Sequence, residues 1–147
     1  MSKLISSIKI DNKYIEVDHD GTYRFDKEGI YTLRIYFKED LRYIEGFFMF
    51  CSDVVEVDFT NLITTEIESM SSLFKGCINL KKIVLGDKFN TEKLNHMDEL
   101  FTSCESLEEI DLTKFETKNV FSMKSLFQGC KNLKKITLIS ILKELKK

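Results

Sequence analysis

The sequence predicts an α/β repeat solenoid of about four helix-strand units, with one parallel sheet along one face, an antiparallel β cap at the amino end and a short helical cap at the carboxyl end. Three observations carry this expectation. Four cysteines at 51, 77, 104 and 130 recur at spacings of 26, 27 and 26 residues, and a near-constant period of that size marks a chain built from internal repeats. The segments around them align as IEGFFMFCSDVVEVDF, MSSLFKGCINLKKIVL, MDELFTSCESLEEIDL and MKSLFQGCKNLKKITL. Within each segment the apolar positions switch from a helical to an extended period.

The amino-terminal residues 1–43 stand outside the repeat. Ile8-x-Ile10 and Ile15-x-Val17, on either side of Asp11-Asn12-Lys13, alternate as a hairpin does, as do Tyr23-x-Phe25 and Tyr31-x-Leu33-x-Ile35-x-Phe37 around Asp26-Lys27-Glu28-Gly29. A small antiparallel sheet that covers the apolar end of the repeats is the expectation. In the first repeat Met49 and Phe50 replace the Lys75-Gly76, Thr102-Ser103 and Gln128-Gly129 of its neighbours. These two apolar groups are expected to pack beneath the cap.

Residues 44–138 hold the repeats. Met70, Leu73, Phe74 and Cys77 sit at i, i+3, i+4 and i+7, as do Met97, Leu100, Phe101 and Cys104, and Met123, Leu126, Phe127 and Cys130; that spacing places them on one face of a short helix. Leu80-x-x-Ile83-x-Leu85 and its counterparts at Leu107 and Leu133 end in a period of two, as a strand with one buried face requires. A two-turn helix is unstable alone, so stacking is what buries both halves. The odd residue of the 27-residue spacing falls at Gly86-Asp87-Lys88, where a turn can absorb it. Residues 139–147, Ile-Ser-Ile-Leu-Lys-Glu-Leu-Lys-Lys, leave the pattern and read as a short amphipathic closing helix, its lysines suited to a helix carboxyl end.

The run from Phe115 to Leu138, F-x-T-x-x-V-x-x-M-x-x-L-F-x-G-C-x-N-L-x-x-I-x-L, resembles the leucine-rich repeat type called BspA-like, found in surface antigens of bacteria and parasitic protists. The Phe-x-Thr step, the Met, the Leu-Phe pair, the Gly-Cys and the following Leu match together, and the resemblance covers about residues 44 to 138. It implies a leucine-rich-repeat solenoid used for adhesion or protein binding, with no catalytic residues to carry over.

Composition narrows the partners. With 22 basic and 24 acidic residues the net charge is −2, too balanced to draw in nucleic acid or anionic lipid as a whole. No stretch approaches the ~20 apolar residues of a membrane span, and the first residues lack the apolar core of a secretory signal. A soluble, cytoplasmic or otherwise intracellular protein is expected, with the cell surface as the alternative if a signal had been removed.

The candidate chemistry has ordinary explanations. Equivalent residues of stacked repeats lie on a line about 4.8 Å apart, so four cysteines in a row cannot converge on one zinc ion at about 2.3 Å. Their parallel Cβ vectors suit disulfides poorly. They are expected to be buried small hydrophobes. Asp18, His19 and Asp20 could ligate a cation, but Asp and Gly at a turn are what backbone geometry selects. No phosphate loop, nucleophile elbow or metalloprotease motif occurs. No cofactor, metal or catalytic residue is expected, and the reading is not an enzyme.

Strand-to-strand alignment gives Glu56, Lys82, Glu109 and Lys135 at one position, and Val55, Lys81, Glu108 and Lys134 at the one before it. Opposite charges in register neutralise one another and interrupt any basic stripe for phosphates. Thr64, Thr91 and Thr117 form a second ladder, expected to cap the following helices. The function expected is a non-catalytic protein-binding module, with Glu56, Asp58, Lys82, Val84, Glu109, Asp111, Lys135 and Thr137 as its contact face. The alternatives are a small structural subunit of a larger assembly or a cell-surface adhesin-type protein.

Overall fold

In the computed structural model, which describes residues 5–11, 13–14, 27, 29–37 and 41–138, the Met-x-x-Leu-Phe-x-x-Cys segment of the later three repeats, and its counterpart at residues 44–51 in the first, is a pair of turns. The expected helices are absent, and no helix occurs among the described residues. The physical reason lies in φ. The third residue of the segment is left-handed in every repeat, at Gly46 (59°), Ser72 (57°), Glu99 (56°) and Ser125 (55°), and so is the residue before each cysteine, at Phe50 (61°), Gly76 (76°), Ser103 (61°) and Gly129 (76°). A left-handed residue ends a right-handed helix, and two of them four residues apart leave no room for one. Turns of this kind still bring i, i+3, i+4 and i+7 to one side, so the apolar spacing alone could not tell the two apart.

The turns free alternate N–H groups for a neighbour. Within the second repeat Leu73 N, Lys75 N and Cys77 N donate back to Met70 O, Ser72 O and Phe74 O, while Met70 N, Ser72 N, Phe74 N and Gly76 N donate to His96 O, Asp98 O, Leu100 O and Thr102 O of the third. The first repeat treats the second in the same way through Ile44, Gly46, Phe48 and Phe50, and the third treats the fourth through Met97, Glu99, Phe101 and Ser103. Parallel bridges Tyr43↔Ser69, Ser69↔His96 and His96↔Ser122 extend this ladder.

The strands follow after the turns. A parallel pair joins β4 (Glu56–Phe59) to β5 (Lys82–Leu85) in the register Glu56↔Lys82 to Phe59↔Leu85, and a second joins β6 (Glu109–Asp111) to β7 (Lys135–Thr137); the labels β1 to β3 belong to the amino-terminal strands Ile5–Ile10, Lys13–Tyr14 and Leu33–Phe37. Among the described residues no ladder joins β5 to β6, so the single parallel sheet expected from the sequence is two short sheets. Lys81 N and Lys82 N reach Val55 O, and Lys134 N and Lys135 N reach Glu108 O, but the middle junction is bonded earlier, at Ser106 N to Ile78 O. The ammonium of Lys114 binds the carbonyls of Leu85 and Gly86 at 3.1 and 2.8 Å, and so occupies acceptors at the end of β5. With neither a helical layer nor a continuous sheet, the leucine-rich-repeat solenoid of helix-strand units is overturned. The helical cap expected at 139–147 lies outside the described residues.

The core of the repeats is a column of rings. Phe48, Phe74, Phe101 and Phe127 stack at centroid spacings of 5.5, 5.8 and 5.5 Å with planes 6–7° apart. Ile67, Met70, Leu73, Leu80, Leu94, Met97, Leu100 and Leu107 are buried beside it. Gly76 has a second reason to lack a side chain: a Cβ there would overlap the ring of Phe50, as one at Gly86 would overlap the backbone carbonyl of Thr60.

The chain divides into two compact units, 1–41 and 42–147. In the first, β1 pairs antiparallel with β2 (Ile10↔Lys13) past a turn at Asp11 (φ 45°), and on its other side with β3 (Ile10↔Leu33). The strands expected at Ile15–Val17 and Tyr23–Phe25 lie outside the described residues. In the second unit Met49 and Phe50 are 44% and 66% exposed.

Candidate binding surface

Strand alternation places the sequence-derived contact face on one side. Val57, Phe59, Ile110 and Leu112 point inward and are buried. Glu56, Asp58, Lys82, Glu109, Asp111 and Lys135 are exposed, and Val84 and Thr137 are half-buried. The face is brought together as two patches, Glu56, Asp58, Lys82 and Val84 on β4–β5, and Glu109, Asp111, Lys135 and Thr137 on β6–β7.

Several of these side chains have structural partners. Lys82 Nζ lies 2.9 Å from Glu56 Oε1, and one position back Lys134 Nζ lies 2.8 Å from Glu108 Oε2. Asp58 Oδ1 accepts from Thr60 N at 2.7 Å, and Asp111 Oδ1 accepts from Thr113 N at 2.8 Å, each closing the turn after its strand. Hydrogen bonds from the Thr60 hydroxyl and N–H hold the Asp58 carboxyl below its ordinary range, and those from the Thr113 N–H and hydroxyl do the same for Asp111. Glu109 and Lys135 form no ion pair among the described residues.

The remaining ladders also bind repeat to repeat. Cys77, Cys104 and Cys130 donate their thiols to Phe48 O, Phe74 O and Phe101 O at 3.0–3.2 Å. All four cysteines are free. Burial pushes the Cys77 thiol up to about 11 and Cys104 further in the same direction. Thr64 Oγ1 accepts from Asn90 N and donates to Asn90 O, both at 2.6 Å, and Thr91 Oγ1 accepts from Glu116 N at 2.7 Å. These hydroxyls were expected to cap helices; they bind the backbone of the next repeat instead. Asp18, His19 and Asp20 lie outside the described residues. His96 is exposed, its ring edge-on to Phe121 at 6.3 Å.

Sequence reasoning missed one surface feature. Phe121, 82% exposed, borders an open groove with Glu66, Glu68, Glu92, Lys93 and Asn95. The signal was available, because Phe121 aligns with Glu68 and Asn95 and is the aromatic member of an otherwise polar column.

Residues 43–140, about two-thirds of the chain, match the family described as "Mycoplasma protein of unknown function, DUF285". The chain belongs to that family. No curated protein and no solved structure matches it. The match begins at Tyr43, where the parallel bridges begin, and runs through β7, so what defines a DUF285 chain here is the joined repeats. Among the described residues of this DUF285 protein, no helix is long and apolar enough to cross a membrane.

Proposed function

We propose that this DUF285 protein is a non-catalytic protein-binding module whose contact surface is the outward face of its two strand pairs. The observation that carries the reading is the division of labour within a repeat: backbone ladders, ring column and thiols hold neighbours together, while Glu109 and Lys135 stand exposed and form no ion pair among the described residues. Charged groups held in fixed register favour a partner of complementary charge pattern, because misplaced like charges are costly at an interface. The resemblance to BspA-like surface antigens supports protein binding. It also supports an adhesin-type role at the cell surface as the alternative to an intracellular one.

Affinity purification from the native source with mass spectrometry tests the reading and the compartment together. A partner captured by the native chain should be lost with the double variant Lys82→Glu, Glu109→Lys, while the circular dichroism stays unchanged. Undiminished capture by that variant counts against the strand face. A second reading, a structural subunit of a larger assembly, draws support from the exposed apolar residues of the last repeat, Ile136 and Leu138, at 40% and 41%.

A further inference from the structure

We propose that the groove beside Phe121 is a binding site for an uncharged oligosaccharide, distinct from the strand face. The groove is open and about 730 Å³ in volume, within the range of small-ligand sites. Its lining comes from successive repeats: Glu68, Asn95 and Phe121 occupy one aligned column, beside the bridged residues Ser69, His96 and Ser122. That column spans two repeat steps, or about 10 Å. Three carboxylates border the groove, and each is already held by another repeat. Lys93 Nζ donates to both oxygens of Glu66 at 2.8 and 2.7 Å, Lys118 Nζ lies 3.0 Å from Glu92 Oε1, and Glu68 accepts from the Tyr43 hydroxyl at 2.9 Å. A cationic ligand would have to displace these partners, and an anionic one would meet the carboxylates. A neutral ligand displaces nothing.

The paired groups keep hydrogen-bonding capacity. A carboxylate has about four lone-pair sites and an ammonium three donors, so acceptors and donors stand side by side along the groove. Sugar hydroxyls, which both donate and accept, satisfy such a surface. Asn95, half-buried at the middle of the column, makes no side-chain hydrogen bond among the described residues; its carboxamide offers an acceptor and two donors in one plane, as two adjacent hydroxyls require. Phe121 supplies the apolar half. Its ring is 82% exposed, with His96 at 6.3 Å as its aromatic neighbour. The negative potential of a ring face attracts the polarised C–H groups that line one side of a pyranose. A sugar seated on Phe121 sends the next units over Asn95 and Glu68, so the column fits two or three sugars laid along the stacking direction.

Saturation-transfer NMR of the full chain tests this with uncharged trisaccharides of glucose, mannose, galactose and N-acetylglucosamine. The expected result is saturable transfer to at least one of them, strongest at its ring C–H protons, with a Kd of about 1 mM or tighter. Phe121→Ala should weaken that binding at least about tenfold, and Asn95→Ala should weaken it less. Phe121→Tyr, which keeps the ring, should retain it. The Phe121 side chain is exposed, so its truncation leaves the core intact, as an unchanged circular dichroism spectrum would verify. The double variant Lys82→Glu, Glu109→Lys should bind the sugar as the native chain does, which keeps a failure of the groove distinct from a failure of the strand face. No saturable transfer to any of these sugars at about 10 mM overturns the proposal. So does transfer that Phe121→Ala leaves intact, or Phe121-dependent binding of a tri-arginine peptide in place of the sugars.

Discussion

The two sides of a repeat are held in different ways. On the turn side every junction carries the same four backbone hydrogen bonds, one Phe-on-Phe stack and one thiol-to-carbonyl contact. On the strand side the backbone ladder exists at two junctions of three, and the visible bonds are exposed ion pairs such as Lys82–Glu56. Among the described residues eight ion pairs link positions 24 to 27 apart, each between neighbouring repeats. Exposed pairs contribute at most about 1 kcal/mol each. The difference teaches that continuity resides in the turns, which leaves the strand face open to vary.

The largest expected effect follows from that asymmetry. Phe101 is 1% exposed and sandwiched between Phe74 and Phe127, so Phe101→Ala should cost about 3–5 kcal/mol, read from the shift of a urea unfolding curve. Among the described residues Phe127 stacks on one ring, that of Phe101, and it is half-buried, so the same truncation there should cost clearly less. Equal losses at the two sites would mean that the column does not bear the load assigned to it.

The turns themselves can be tested by sign. Gly76→Ala forces a side chain into a left-handed position and against the Phe50 ring, and should destabilise by about 1–3 kcal/mol; Phe50→Ala in the same chain should return the part due to the ring. Ser125 is left-handed and exposed, so Ser125→Gly should stabilise by up to about 1 kcal/mol. In a helix the same change would destabilise by a similar amount. Thermal melting of the single variant therefore distinguishes turn from helix directly, and a lowered melting temperature would reject the turn geometry.

That distinction also marks where the sequence stopped being legible. The repeat, the inward Leu, Ile and Phe positions and the burial of Cys77 and Cys104 could be read from spacing and hydrophobicity, whereas Cys51 and Cys130 are only half-buried. The strand face could be read as well, because a period of two has one structural meaning. The period of Met70, Leu73, Phe74 and Cys77 has two, and only backbone conformation separates them. Gly46, Gly76 and Gly129 hinted at left-handed positions, but Ser72, Glu99 and Ser103 adopt the same conformation without glycine. The donors that such turns release find acceptors in the next repeat, a long-range gain that local propensity does not register. The gap between β5 and β6 was equally hidden, since the strands on both sides carry the same pattern.

The smallest effects belong to the strand side, and they separate its carboxylates by mechanism. The Asp58 and Asp111 carboxyls lie below their ordinary range through hydrogen bonds from Thr60 and Thr113, while Glu108 is lowered first by its hydrogen bond and then by its charge interaction with the Lys134 ammonium. A depressed folded-state value means that the contribution is present above the unfolded carboxylate range and is lost as pH falls through the folded one. Acid should therefore weaken the fold, and Asp58→Asn with Asp111→Asn, which keep a turn-closing oxygen but cannot titrate, should make the acid limb of a urea-midpoint profile shallower. Glu108→Gln should do the same only at low salt, because 1 M salt shortens electrostatic reach to about 3 Å and leaves short hydrogen bonds to the backbone intact. An acid limb equally sensitive to salt in both variants would show that the two kinds of carboxylate are held alike, and the distinction between turn-closing aspartates and charge-paired glutamates on this face would fall.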